Sequence, residues 1–98
     1  MIIFLDYDRT YTLDPDMWDI FIVLAKANKH QVYCLTMRYK EEIDGPMINT
    51  IGRKCEIVCT ERKAKESYAL NWLRENGVLP APVIFIDDSP HWLVEDAG

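Results

Sequence analysis

Two carboxylates one residue apart, Asp6 and Asp8, close the apolar run Ile2-Ile3-Phe4-Leu5 and are followed by Arg9, Thr10 and Thr12. Like charges held this close repel unless a cation or a reacting group makes use of them. A second acidic pair, Asp87-Asp88, follows the apolar run Val83-Ile84-Phe85-Ile86 and precedes Ser89. Between the two pairs lie Thr36, at the end of a third apolar run, and Lys63 and Lys65, near the start of a helical stretch. If these stretches meet in space, the set allows cation binding or attack on a group brought to the acids.

Whether they meet depends on the elements that carry them. Four short runs rich in Val, Ile and aromatic residues read as strands: Ile2 to Leu5, Gln31 to Leu35, Glu56 to Cys59 and Val83 to Ile86. Helical spacing separates them, so the pattern is an α/β chain with a parallel sheet of about four strands. Asp14-Pro15 reads as a helix start, with the aspartate as N-cap and proline in the first turn. Met17, Phe21, Leu24 and Ala25 then form one apolar stripe. Met47, Ile48 and Ile51 mark a short helix beginning near Pro46. Lys65, Tyr68, Ala69, Trp72 and Leu73 mark a longer one, with Gly77 as its left-handed stop. Pro90 to Gly98 holds a last short helix with Trp92 and Leu93. In a parallel sheet the carboxyl ends of the strands share one edge, where open α/β sheets bind their ligands. Asp6, Asp8, Thr36, Thr60 and Asp87-Asp88 all fall at such ends.

Taken singly, each residue also has an ordinary role: an aspartate at a strand end is often a turn or cap residue, Thr36 a β-branched strand residue, Lys65 a solvated helix charge. Together and in this order, they resemble the haloacid dehalogenase-like superfamily of phosphohydrolases. Asp6-Tyr7-Asp8-Arg9-Thr10 resembles its first motif, Thr36 the second, a lysine at a helix start the third, and Asp87-Asp88 the fourth. The resemblance covers nearly the whole chain. It implies a three-layer Rossmannoid fold with helices on both faces of the sheet and no cap domain, and a Mg²⁺-dependent phosphatase. Asp6 would be the nucleophile that forms an aspartyl-phosphate, and Asp8 the general acid and base. Thr36, Met37, Arg38 and Lys65 would bind the phosphoryl group. Asp6, the backbone carbonyl of Asp8, Asp87 and Asp88 would hold the metal. Lys65 fits the helix register best, and Lys63 is the alternative.

Two departures from that pattern bear on function. Arg9 stands where the family usually has glycine or another small residue, and no further strand follows the fourth, which is left as an edge unless a partner or a second copy covers it. A second reading is therefore a catalytically weak binding or regulatory module that uses the acidic pocket and the open edge. Only about one helix separates successive motifs, leaving no room for a cap. Capless relatives tend to act on exposed phosphorylated groups, so the implied substrate is a phosphomonoester on a macromolecule, a nucleotide or a nucleic-acid end.

Composition sets the outer limits. Ninety-eight residues, 49% hydrophobic and 28% charged, suit a single folded domain. A net charge of -5 argues against a mainly electrostatic grip on nucleic acid. The longest apolar stretch, Ile20 to Ala25, is too short to span a bilayer, and no basic leader precedes the first strand. Cys34, Cys55 and Cys59 are an odd set in apolar surroundings, read as reduced core residues of a cytoplasmic protein. His30 reads as a helix-end residue and His91 as at most a rim contact.

Overall fold

A computed structural model describes residues 1–98. Its four strands, β1 (Ile2–Asp6), β2 (Gln31–Thr36), β3 (Glu56–Cys59) and β4 (Val83–Ile86), form one sheet in the order β3-β2-β1-β4, parallel at every pairing. β1 and β2 each run one residue beyond the expected end, so Asp6 and Thr36 are terminal strand residues rather than the first residues of loops. Backbone pairing therefore fixes where their side chains begin.

The strands are joined by α1 (Pro15–Ala27), α2 (Gly45–Asn49) and α3 (Lys65–Glu75). Asp14 caps α1 by accepting from the Met17 amide at 3.2 Å, and Asp44 caps α2 by accepting from the Met47 amide at 3.0 Å. Each cap satisfies an amide that has no partner inside its own helix. Gly77, at φ +67°, ends α3 in the left-handed region.

Strand alternation divides the core in two. Ile3, Leu5, Val32 and Cys34 pack with Ile22 and Ala25 of α1 and with Met47 and Ile51 on one face. Ile2, Phe4, Leu35 and Val58 pack with Ala69 and Leu73 of α3 on the other. Helices thus cover both faces, and short helices and turns account for residues 7–30 and 37–55, with no separate domain inserted.

The stripe expected on α1 is only half right. Phe21 packs against the core and Ala25 is buried, but Met17 and Leu24 are exposed, and the remaining inward positions belong to Trp18 and Ile22. The run Ile20-Phe21-Ile22-Val23-Leu24-Ala25 is apolar on every side, so periodicity alone does not choose which side faces the sheet.

The path of the chain locates the functional edge. From β1 the chain steps to β2 and then to β3, whereas the connection through α3 carries it back across the sheet to β4, on the other side of β1. The direction of travel reverses between β1 and β4. That reversal opens a crevice at the carboxyl ends of those two strands.

Candidate active site

Asp6 ends β1 and Asp87-Asp88 follow β4, so the two acidic stretches enter this crevice from adjacent strands. The three carboxylates offer oxygens that lie within 4.8 Å of one another. Lys65, at the start of α3, reaches the same point. Its Nζ donates to Asp6 Oδ1 at 2.7 Å and to Asp87 Oδ2 at 2.6 Å, and the residue is only 4% exposed. Lys63 lies two residues earlier on the exposed side, where its carbonyl accepts from the Thr60 hydroxyl at 2.8 Å. The lysine that joins the acids is therefore Lys65.

An ammonium at the first turn of a helix faces an unfavourable dipole, so its position needs explanation. The connection ahead of α3 provides it. Glu61 and Arg62 both adopt left-handed backbone, at φ 55° and 69°, and the Arg62 amide donates to the Met37 carbonyl at 2.9 Å. This clamps the loop to the exit of β2. Asp96 then accepts from the Ala64 amide at 2.7 Å, and the Ala97 amide donates to the Arg62 carbonyl at 2.7 Å. The chain's last residues thus brace the helix start that carries Lys65. Asp6 and Asp87 supply the compensating charge.

Burial pushes the Asp6 carboxyl up to about 6, although the Lys65 charge and hydrogen bond pull it down; Asp87 adds to the upward push. Lys65 is held above the ordinary lysine value, its desolvation outweighed by Asp6 and Asp87. The pair of carboxylates that shares the Lys65 ammonium, Asp6 and Asp87, leaves a formal charge of -1 when both are ionised, and Asp88 beside them has only the solvent-exposed Arg9 as an ionic partner. Desolvation opposes ionisation of Asp88 too, but hydrogen bonds involving Asp6, Ser89 and Thr10, with the Arg9 charge, hold it below the usual aspartate value. Asp6, Asp87 and Asp88 offer an oxygen-only donor set that could hold a hard metal cation.

Thr10 was not singled out as a site residue in the sequence, yet it ties the two acidic stretches together. Its buried hydroxyl donates to Asp6 Oδ2 at 3.0 Å and accepts from the Asp88 amide at 3.3 Å. The signal was its place four residues after Asp6. Ser89 donates its amide to Asp87 Oδ1 at 2.9 Å, which helps fix that carboxylate.

Asp8 sits apart from the cluster. Both of its oxygens accept from Arg38, at 2.7 Å from Nη2 and 3.1 Å from Nε, and the Arg38 guanidinium also meets Asp44 and the Glu42 carbonyl. Arg38 is thus spent on neighbours, while its amide donates to Thr36 Oγ1 at 3.3 Å. Thr36 is buried at the end of β2, the strand next to the one that carries Asp6, and Met37 follows it at the cleft wall. Arg9 adopts left-handed backbone at φ 59°, the conformation a glycine would take without strain. Its guanidinium lies 3.8 Å from Asp88, almost fully in solvent.

The cleft is open and lined by Asp6, Asp8, Arg9, Thr36, Met37, Arg38, Arg62, Lys65, Asp87 and Asp88, with Trp92 at its rim. Arg62 was not assigned to the site from sequence; it donates to the Met37 carbonyl at 2.6 Å and pairs with Glu42 at 3.0 Å. His91 lies tilted against Trp92 and does not line the cleft, and His30 lies beside the amino terminus, 2.8 Å from the Met1 nitrogen. Comparisons of the chain with protein-family models, with curated proteins and with solved structures find no match. No helix is long and apolar enough to cross a membrane.

Proposed function

We propose that the chain is a Mg²⁺-dependent phosphohydrolase of the haloacid dehalogenase-like kind that acts on an exposed phosphomonoester through an aspartyl-phosphate. The observation that carries this reading is the sharing of one buried ammonium, Lys65, between Asp6 and Asp87 at the point where the sheet reverses direction. An Asp6 oxygen attacks phosphorus as the bond to the leaving oxygen breaks, and that oxygen takes a proton from the Asp8 carboxyl. Water then attacks the phosphorus of the aspartyl-phosphate and gives its proton to Asp8, releasing inorganic phosphate and restoring Asp6. Lys65 keeps Asp6 oriented and offsets charge that develops on the transferring group. Asp6, Asp87 and Asp88, with the Asp8 carbonyl, would hold the ion. When bound, Mg²⁺ supplies charge neutralisation at the phosphoryl oxygens.

The absence of an inserted domain supports a bulky or exposed substrate, because nothing within the chain closes over the cleft. Phosphate release from an aryl phosphate, with and without Mg²⁺, tests the proposal. Asp6→Asn should abolish release while leaving the far-ultraviolet circular dichroism spectrum unchanged; a variant that keeps most of the activity refutes the mechanism.

One observation favours a second reading, the weakly catalytic binding module. Both Asp8 oxygens are engaged by Arg38, so the carboxyl faces that guanidinium rather than a leaving group until the pair opens. If the pair keeps the site idle, Arg38→Gln should raise kcat even as KM rises. A fall in both kcat and kcat/KM would instead favour the enzyme reading, with Arg38 on the phosphoryl group.

A further inference from the structure

The exposed side of α1 is the least expected surface of the molecule. Met17, Ile20 and Leu24 repeat at spacings of three and four, the pattern of a helix-pairing seam, and they lie on the side of α1 opposite Trp18, Ile22 and Ala25, which face the core; exposed Leu13 lies just ahead of the helix. Val23 flanks the seam. A helix apolar on both sides is normally buried on both sides. Beside Leu24 an apolar groove continues to the edge strand, where Phe21 and Ala25 face Ile84 and Ile86 of β4.

We propose that this face is an isologous dimer interface, in which α1 packs antiparallel on α1 of a second copy of the chain. Three features select a second copy as the occupant. The first is charge order: exposed Asp14 and Asp16 stand at the start of α1 and exposed Lys29 just past its end, while Lys26 is held by the Lys54 carbonyl of its own chain. Antiparallel pairing about a two-fold axis sets each acidic start against the partner's basic end and aligns the helix dipoles favourably. The second is self-complementarity. With the axis near Ile20, Ile20 meets its own copy, Met17 meets the partner's Leu24, Leu24 meets the partner's Met17, and the seam closes on itself. The third is area. Leu13, Met17, Ile20, Val23, Leu24 and Ile84 are 42% to 75% exposed. Together they present roughly 600 Å² per chain, so an isologous contact removes about 1,200 Å², the lower limit for a stable specific interface. The same patch is at the upper end of what a monomer leaves exposed.

Sedimentation equilibrium of the full chain from about 1 to about 500 µM tests this by mass action. The expected mass at high concentration is twice 11.5 kDa. Ile20→Lys and Leu24→Glu, both at positions more than half exposed, should each weaken the dimer at least about 100-fold while leaving the thermal transition of the monomer intact. Asp16→Lys should weaken it by setting like charges together, and the double exchange Asp16→Lys with Lys29→Asp should restore it. A mass of 11.5 kDa at every concentration overturns the proposal. So does a dimer that survives both seam substitutions, or a double exchange that binds no tighter than Asp16→Lys alone.

Discussion

Lys65→Met isolates the role of the shared ammonium. The substitution keeps the length of the side chain but leaves Asp6 and Asp87, whose buried carboxylate oxygens now sit 2.7 and 2.6 Å from the ammonium, without their shared cation. Removing one partner of a buried ion pair costs about 3–5 kcal/mol, because the remaining charge keeps its desolvation penalty without compensation. Protonation of one carboxyl caps the loss, so about 3 kcal/mol at pH 7.5 in EDTA is expected. Urea unfolding followed by far-ultraviolet circular dichroism should therefore show a midpoint lower by about 1–3 M. At pH 5 one proton already bridges the shortage, and the loss should shrink to about half. Asp87→Asn in the Lys65→Met background should return about 1–2 kcal/mol by removing one of the facing charges. Lys63→Ala should change stability by about 0.5 kcal/mol or less. A Lys65→Met loss below about 1 kcal/mol at pH 7.5, or one that Asp87→Asn deepens, would falsify the view that Lys65 holds the two acids together.

The raised Asp6 carboxyl gives a sign for pH dependence in the metal-free protein. The folded chain keeps a proton that the unfolded chain has lost, so this group's contribution falls as pH rises from 3.8 to about 6 and is level above. The difference corresponds to about 3 kcal/mol. Millimolar Mg²⁺ should raise the melting temperature more at pH 7.5 than at pH 5, and not at all in Asp87→Ala; an equal rise in that variant removes Asp87 from the ion's ligands. Asp8→Asn should slow turnover of a phosphomonoester with a poor leaving group by about 10²–10⁴-fold and that of an aryl phosphate by less; equal losses on both would argue against Asp8 as the acid. Burial raises all three thiols, Cys55 to about 11, so native protein should react slowly with a disulfide reagent at pH 8 and release three equivalents on unfolding. Rapid reaction of even one thiol in the folded state would show the core is looser than its packing.

The four strands were legible because each is a short apolar run bounded by turn residues, and α1 because Asp14-Pro15 carries its cap in plain view; α2 was read from Pro46, Met47 and Ile48, but its Asp44 cap was missed and Ile51 lies past its end. Asp6, Thr36 and Asp87 could be placed at one sheet edge as soon as the sheet was read as parallel. The side of α1 that meets the core could not be read. An all-round apolar helix has no preferred face until the sheet supplies the complementary surface.

The site divides along the same line. Asp6, Asp87 and Asp88 were singled out by their place at strand ends together with the family resemblance, and Lys65 was preferred over Lys63 on helix register, a local property that a sequence carries. The partners those side chains take depend on residues distant along the chain. Asp8 is held by Arg38, thirty residues away, and the Lys65 helix is braced by Asp96, thirty-two residues from the amide it caps. Thr10 meets the Asp88 amide only because β4 returns to the side of β1. Such contacts follow from the order of strands in the sheet, and that order is set by how the helices pack on its two faces rather than by any local pattern. The side chains on offer were therefore written in the sequence, while the pairing that now holds Asp8 and the sharing of Lys65 between Asp6 and Asp87 were decided by the fold.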